Sequence, residues 1–191
     1  MIIYGTKQTI ERYKITLPSE LSSPLNKLVD AIIKKEGNDK LFEWGAKLFY
    51  FDKRKCVQVV NFATKFTLFL VDIKIDEMGQ IGNMIACYLI ELYKKDKKMI
   101  NALKKMFQTN PITCFSKLTD KSMIATLNRT QLSYEDGDCF YTYIKHGVLD
   151  TIKINHELNF VWMSTMKING KTEYILPAEK LKEIVLARFG D

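Results

Sequence analysis

Apolar residues change their spacing several times along the chain, and each spacing predicts one type of secondary structure. They recur every three or four positions from Leu25 to Ile33, behind Ser23 as N-cap and Pro24 as first helical residue, and predict a helix that ends at Gly37. Three β-rich runs follow this helix, at residues 44–51, 56–61 and 66–72. The polar turns between these runs are short, which forces neighbouring strands to be antiparallel, so the middle of the chain is predicted to be a β-meander.

The rest of the chain alternates between helix signals and short β-rich runs. Further helical segments are predicted near Asp76, Ile100, Asp120, Asp150 and Pro177. Short β-rich runs lie at residues 2–4 and 112–118. No linker, internal repeat or change of composition divides the chain. The pattern therefore predicts one α+β domain over residues 1–191, with an antiparallel meander of about four to five strands packed against about five to six helices.

Composition excludes several classes of protein. The chain has 191 residues, of which 47% are apolar and 27% charged, with only 9 glycines and 4 prolines. These values are typical of a globular domain and exclude disordered and collagen-like chains. The longest uncharged apolar stretch, residues 66–71, is far shorter than the roughly 20 residues of a membrane helix. The start of the chain lacks the pattern of a signal peptide, so we expect a soluble protein with no membrane partner.

The charge is positive and unevenly distributed. Lys and Arg number 29 against 22 Asp and Glu, which gives a net charge of +7, and such an excess attracts polyanions. Asp96 is the one acid inside a dense group of six lysines, and a second basic group lies in a predicted turn. The first group is Lys94, Lys95, Lys97, Lys98, Lys104 and Lys105, and the second is Lys53, Arg54 and Lys55. We predict that both groups contact nucleic-acid phosphates, the alternatives being a solvated face or a contact with an acidic protein.

The cysteines predict a reducing compartment. Cys56, Cys87, Cys114 and Cys139 are 25 to 31 residues apart and form no C-x-x-C pair, so neither a zinc ribbon nor a thiol redox motif is present. Each has apolar neighbours, as a reduced thiol that packs as a small hydrophobe would have. We therefore expect a cytoplasmic location, in a bacterium or a phage-infected host cell.

Motifs of the common enzyme classes are missing, but one constellation is compatible with catalysis. The sequence contains no P-loop, no H-E-x-x-H and no G-x-S-x-G. His146 and His156 are the only histidines, and Lys145 precedes the first of them. If the three side chains met at one phosphate, one imidazole would take the 2′-hydroxyl proton and the other would protonate the leaving oxygen. This arrangement predicts a metal-independent ribonuclease, against the alternative that both histidines are structural.

Two further groups were weighed as ligand sites. Glu135, Asp136 and Asp138 surround a glycine and could hold a hard cation, but they lack the twelve-residue calcium-loop pattern and are typical of an acidic turn. Tyr141 and Tyr143 could stack on bases if they line one side of a strand, although such aromatic patches are mostly core. We predict no metal site and no cofactor.

Several short motifs, in consistent order over most of the chain, resemble those of a known family. They are Met1-Ile2-Ile3 with Thr6-Lys7, Trp44, the run from Asp52 to Cys56, Asn61, Thr64, Lys121-Ser122, Leu127-Asn128, Leu158-Asn159 and Pro177-x-Glu179-Lys180-Leu181. The family consists of small uncharacterised bacterial proteins with a domain of unknown function, often found with mobile elements. None of these motifs is catalytic. The resemblance implies a shared fold and a bacterial or phage setting, and it carries no activity.

The chain departs from the family pattern at some of these positions. Tyr4 stands where the family has arginine, and Arg129 stands where an acid is common. Among the shared polar residues, Thr6, Lys7 and Asn128 are predicted to line a polar cleft together with Arg54. For Asp52 and Asn61, hydrogen bonds from the side chain to the backbone of a turn explain the residue type as well as a functional role does.

Three hypotheses of function follow. The first is a binding protein for RNA or a ribonucleoprotein, used by a mobile element against host defence in the manner of anti-CRISPR inhibitors, with a CRISPR effector as one candidate partner. The second is the ribonuclease that uses His146, His156 and Lys145. The third is a protein–protein interaction module, which in one form is a homodimer through the sheet edge.

Overall fold

A five-stranded mixed sheet lies at the centre of the protein. The computed structural model describes residues 1–51, 53–135 and 139–190. The strands are β1 (Ile2–Gly5), β2 (Glu43–Phe51), β3 (Arg54–Asn61), β4 (Thr67–Val71) and β5 (Cys114–Lys117), in the order β4-β3-β2-β1-β5. The meander of β2, β3 and β4 is antiparallel, as predicted. β1, however, lies parallel to both β2 and β5, because long helical connections return the chain to the same end of the sheet.

Helices cover both faces of this sheet, which confirms the predicted α+β class. The described part of the chain contains α1 (Lys7–Tyr13), α2 (Ser23–Glu36), α3 (Ile81–Leu92), α4 (Lys97–Thr109), α5 (Lys121–Glu135), α6 (Thr151–Phe160) and α7 (Pro177–Phe189). The described residues also form two small antiparallel hairpins. They are β6 (Ile144–Lys145) with β7 (Val148–Leu149), and β8 (Ser164–Ile168) with β9 (Lys171–Ile175). None of the described helices is long and apolar enough to cross a bilayer.

Three local differences separate these elements from the sequence-based expectation. α3 begins at Ile81 rather than near Asp76, because a short 3₁₀ turn at Met78–Gln80 precedes it. The β8–β9 hairpin was not predicted from its sequence. α2 forms where expected, but Leu25 and Leu28 are more than half exposed and Glu36 is its one buried residue. The apolar stripe of α2 therefore contributes less to the core than its spacing predicts.

The first face of the sheet carries the larger part of the core. Alternate residues of β2, Trp44, Ala46 and Leu48, point to this face and are almost fully buried. They pack with one stripe each of α3, α4 and α7. Burial of each large apolar side chain contributes about 1.5–3 kcal/mol, so α4 is fixed to the sheet along its whole apolar side.

The opposite face of the sheet packs against α5 and α6. Val60 contacts Met123 and Leu127 of α5, which form a separate small cluster. Gly45 permits this close approach, because a Cβ at that position would lie 2.8 Å from the Met123 Cγ. α4 and α5 therefore lie on opposite faces of the sheet.

The open edge of β4 is closed by two asparagines of α6. Asn155 and Asn159 are four residues apart and so share one face of the helix. Asn155 Oδ1 accepts from the Phe69 amide (2.7 Å) and its Nδ2 donates to the Phe69 carbonyl (3.1 Å). Asn159 makes the same pair of bonds to Thr67, at 2.8 and 2.7 Å. Because these side chains replace a neighbouring strand, this edge is not open to pairing with a second copy.

Candidate nucleic-acid interface

The lysines between residues 94 and 105 lie together on the surface of α4 and of the turn before it. Asp96 caps the helix by accepting a hydrogen bond from the Met99 amide at 3.0 Å. Met99, Ala102, Leu103 and Met106 form the buried side of the helix. The six lysines lie on the other side and in the preceding turn, and we call them the α4 basic face: Lys94, Lys95, Lys97, Lys98, Lys104 and Lys105.

Helix geometry brings four of these lysines into one stripe. Lys97 and Lys104 are seven residues apart, as are Lys98 and Lys105, and two turns of helix return a side chain to nearly the same direction. From Lys97 to Lys105 the helix rises about 12 Å. Lys105 is half-buried and the other three are exposed. Four of the six lysines of the α4 basic face therefore lie on one side of α4.

Carboxylates neutralise only part of this face. Lys94 forms an ion pair with Glu91 at 2.6 Å, and such exposed pairs contribute about 0–1 kcal/mol. Asp96 is paired instead with Lys182 of α7 at 2.9 Å. In the described part of the chain, four ammonium groups of this face form no ion pair or hydrogen bond, namely those of Lys95, Lys97, Lys98 and Lys104.

The pairing of Asp96 with Lys182 affects both groups. The hydrogen bond from Lys182, together with those from the Met99 and Lys98 amides, holds the pKa of Asp96 below its ordinary value. The same bond raises the pKa of Lys182. Asp96 therefore stays ionised at neutral pH and remains paired with Lys182 of α7, so its charge does not neutralise the lysines of α4.

A cavity of about 690 Å³ lies at the start of the α4 basic face. Tyr93 and Phe160 form part of its wall, and the His156 ring stacks on Phe160 with centroids 4.7 Å apart. Lysines of the α3–α4 turn and Lys182 form its rim, together with Glu91, Asp96 and Glu179. The cavity thus combines an aromatic wall with a rim of mixed charge in which cations predominate.

The second predicted basic group lies elsewhere. Lys53 and Lys55 flank the β2–β3 turn and line a different cavity, of about 380 Å³, which shares no lining residue with the one beside α4. Arg54 donates a hydrogen bond to the Gly147 carbonyl and so holds the β6–β7 hairpin. The two groups predicted from sequence therefore do not form one surface.

The residues of the predicted ribonuclease site have separate surroundings. His146 occupies the turn of the β6–β7 hairpin with a positive φ of 50°, and Lys145 precedes it in β6. His156 lines the cavity beside α4. Within the described residues, no hydrogen bond, ion pair or ring contact joins the two histidines.

The polar residues shared with the family have structural partners. Thr6 caps α1 by accepting from the Thr9 amide at 3.4 Å, and Lys7 lies 3.7 Å from Glu11. Asn128 Oδ1 accepts from Lys47 Nζ at 2.8 Å. Described contacts do not join Asn128 to Thr6 or Lys7, so the predicted polar cleft is not assembled by direct contact.

The two tyrosines considered for base stacking differ in exposure, and the acids considered for cation binding lie largely outside the described structure. Tyr143 is buried and donates a hydrogen bond to Glu157, so its ring is not available to stack on a base. Tyr141 is 55% exposed and packs against Phe51 with ring centroids 5.0 Å apart. Asp136 and Asp138 lie outside the described residues, as does the side chain of Glu135.

A further basic surface was not predicted from the sequence. Lys40, Lys65, Arg129 and Lys167 come from four separate segments and line two adjoining cavities of about 460 and 190 Å³. The cavities lie between α5, the β3–β4 turn and the β8–β9 hairpin, and we call them together the α5 groove. Each of the four cations is isolated among unrelated neighbours in the sequence, so no charge run signals the groove.

The fold and its two basic surfaces define a class of protein: a single α+β domain around a mixed sheet, with cations gathered on both sides of that sheet. The chain belongs to the family of the domain of unknown function DUF6933, whose family model matches residues 2–180. This confirms the resemblance to an uncharacterised family. Comparison with curated proteins finds no match.

Proposed function

We propose that this protein binds nucleic acid, either free or within a ribonucleoprotein, through the α4 basic face. One observation carries the proposal. Lys97, Lys98 and Lys104 are exposed on one face of a single helix, opposite its buried side, and have no partner within the described structure. Ammonium groups arranged in this way are suited to the regularly spaced phosphates of a nucleic-acid strand.

The position of two of these lysines supports a role in binding. Lys97 and Lys98 occupy the first turn of α4, where the helix dipole favours acids and disfavours cations, and this turn contains no acid. Each therefore costs stability, by about 0.3–1 kcal/mol. Residues that cost stability without filling a structural role are common at functional sites.

A mobile-element role belongs to the same proposal. A CRISPR effector would present its guide RNA or displaced DNA strand to the α4 basic face, and the protein would act in the cytoplasm as an inhibitor. The exposed free thiol of Cys87 supports a reducing compartment, where such thiols persist. Cys56 and Cys114 are buried, and burial raises the pKa of the Cys56 thiol to about 12, so these two pack as unreactive apolar groups.

The test is a comparison of two triple variants with the same change of charge. Lys97, Lys98 and Lys104 become glutamate in one variant. Lys27, Lys34 and Lys35 of α2, which are also exposed and seven or eight residues apart, become glutamate in the matched control. We expect the first variant to bind a fluorescein-labelled RNA about 100-fold more weakly at physiological salt, because three phosphate contacts are lost, and the control to lose far less. Equal losses in both variants would show that only net charge matters and would reject the α4 basic face.

The ribonuclease hypothesis is favoured by one observation, the location of His156 in the basic-rimmed cavity. It requires His146 to approach the same phosphate. Incubation of labelled RNA with the protein in EDTA tests it: cleavage that is lost in both His146→Ala and His156→Ala supports the ribonuclease, and intact RNA rejects it.

A further inference from the structure

We propose that the α5 groove is a second nucleic-acid site, one that binds a single-stranded segment by its phosphates and stacks one base on Tyr174. The inference rests on the proposed function, and it adds a site on the opposite face of the sheet. The cavities of about 460 and 190 Å³ that form the groove share Lys65, Thr126, Arg129 and Thr165, so they line one continuous depression.

The composition of the groove points to a ligand with several negative charges. Four cations line it, and no described carboxylate lines either cavity. The cations are Lys40, Lys65, Arg129 and Lys167. Of these, Lys40, Lys65 and Lys167 have no ion-pair or hydrogen-bond partner for their ammonium groups within the described residues. Unpaired cations gathered without acids repel one another, and a polyanion removes that repulsion.

Lys65 is the best-fixed cation of the groove. It lies in the β3–β4 turn at a positive φ of 60°, its amide donates to the Asn61 carbonyl at 3.0 Å, and its own carbonyl accepts from the Thr67 hydroxyl at 3.0 Å. The side chain is partly buried. Burial, with Lys40 nearby, holds the pKa of Lys65 below its ordinary value even though Asp120 acts against this. Because Asp120 offsets only part of this effect, a phosphate would supply further counter-charge to Lys65.

Hydroxyl groups give the groove additional polar contacts. Ser122, Thr165 and Thr172 line it, and none of the three hydroxyls has a hydrogen-bond partner in the described structure. Hydroxyl side chains next to lysine and arginine are the usual donors to phosphate and sugar oxygens. The groove is thus suited to the sugar-phosphate backbone as well as to an isolated anion.

The β8–β9 hairpin supplies the aromatic surface that favours a nucleic-acid strand over an isolated anion. Tyr174 lies directly opposite Thr165, and Lys167 lies opposite Thr172. Residues that face each other across an antiparallel pair, and residues two apart in one strand, share a face. Tyr174 therefore shares a face with three residues that line the groove, and its side chain is 73% exposed. An exposed ring beside a row of cations is the arrangement by which proteins hold single strands.

The experiment uses two labelled probes, a single-stranded 12-nucleotide RNA and the duplex of the same sequence, with binding measured by fluorescence anisotropy. Lys65→Gln and Tyr174→Ala alter the groove. The triple variant of Lys97, Lys98 and Lys104 alters the α4 basic face. Tyr50→Ala, which removes another exposed tyrosine outside the groove, is the matched control.

We expect Tyr174→Ala to weaken binding of the single strand about five- to 150-fold, the range for one stacked base, with little change for the duplex. Lys65→Gln should weaken single-strand binding about tenfold, and Tyr50→Ala should leave it unchanged. Ultraviolet cross-linking of the single strand to the unaltered protein provides a second readout, with the cross-link expected in the peptide that contains Tyr174.

The outcomes separate the two proposals. If the α4 variant loses binding while both groove variants keep single-strand affinity and no cross-link forms at Tyr174, the groove inference is overturned and the α4 proposal stands. If inorganic phosphate binds with dependence on Lys65 but Tyr174→Ala changes nothing, the groove is a small-anion site and the inference is also overturned. If neither probe binds the unaltered protein, both proposals are rejected.

Discussion

The α4 basic face and the α5 groove gather cations in two different ways. The lysines of the first come from one short run of sequence and are brought together on one side of α4 by the helical repeat. The cations of the second come from segments that begin at Lys40 and end at Lys167, and only the packing of α5 and the β8–β9 hairpin brings them together. A stripe along one helix suits any phosphate backbone, whereas a groove between several elements can select a single strand.

In both regions positive charge lowers the stability of the folded protein, but the physical reasons differ. In the α4 basic face the cost comes from the helix dipole acting on Lys97 and Lys98. In the α5 groove it comes from the partial burial of Lys65, which the charge of Asp120 offsets only in part. If both surfaces bind nucleic acid, the same substitutions should raise the stability of the protein and lower its affinity.

Combining the two sets of substitutions should give the largest effect. The triple α4 variant together with Lys65→Gln and Tyr174→Ala is expected to lose affinity for an RNA with a duplex and a single-stranded tail by about the product of the separate losses, roughly 5,000-fold or more, because the free-energy effects of sites without shared partners are additive. Anisotropy titrations measure this. A combined loss no greater than the larger single loss would mean that the two regions are one site or that one of them is idle.

Asn159→Ala should have the largest effect on stability, because Asn159 pairs with two backbone groups at the edge of β4. The helix that carries it, α6, also lies between the two regions. His156 and Phe160 of α6 line the cavity beside α4, and Leu158 lines the groove. The substitution leaves the Thr67 amide and carbonyl without partners, at about 1–3 kcal/mol for each buried group. Urea unfolding should show a loss of about 2–4 kcal/mol.

Asn128→Ala is the control for this substitution, since Asn128 is exposed and makes one hydrogen bond, to Lys47. We expect its free energy of unfolding to change by less than about 0.5 kcal/mol. Similar losses for the two asparagine variants would contradict the importance assigned to the closed edge of β4.

Much of the fold is readable from the sequence, because local patterns determine it. Alternating residues in β2 and β3, short turns and the proline at the start of α7 are local signals, and each predicts the element that forms. The parallel placement of β1 is not local, since it depends on where α1 and α2 return the chain. The β8–β9 hairpin lacks the core residues that mark a strand, because none of the residues in its two strands is buried.

The same distinction applies to the candidate sites. The α4 basic face is predicted from one run of lysines, because residues close in sequence stay close on a helix. The α5 groove has no such signal, since Lys65 and Arg129 meet only through tertiary packing. Asn159 was singled out as part of a family motif, but its role at the edge of β4 requires knowledge of which strand lies beside α6.

Lys97→Glu should stabilise the protein slightly while it weakens binding. The substitution replaces a cation by an acid in the first turn of α4, which favours the helix by about 0.3–1 kcal/mol. For a chain of this size the melting temperature should rise by about 1–4 °C. Lys104→Glu in the middle of the same helix is the control, because the dipole acts mainly on the terminal turns. A fall in melting temperature for Lys97→Glu alone would mean that Lys97 has a structural role.

Lys65→Met should give the smallest effect, and the effect should depend on pH. The folded-state pKa of Lys65 lies below its ordinary value of 10.5, so between the two pKa values the unfolded chain binds more protons and stability rises with pH. Below the folded pKa the full cost of the buried charge is present. The variant should therefore be more stable than the natural protein at neutral pH, and the difference should shrink as the pH approaches 10.5.

Lys40→Met removes an exposed ammonium from the same groove and is the control for this series. Its effect on the unfolding free energy should stay within about 0.5 kcal/mol. If Lys65→Met were less stable than the natural protein at neutral pH, the charge of Lys65 would not be what lowers stability at this position.

The salt dependence of RNA binding shows whether the lysines of the α4 basic face contact phosphates. Affinity for a single-stranded RNA is to be measured over a range of salt concentrations for the natural protein and for the triple variant of Lys97, Lys98 and Lys104. If these lysines contact phosphates, the logarithm of the association constant falls with the logarithm of salt by about 0.7 for each contact, and the variant loses about two from that slope. An unchanged slope in the variant, or a slope near zero in the natural protein, would contradict the account.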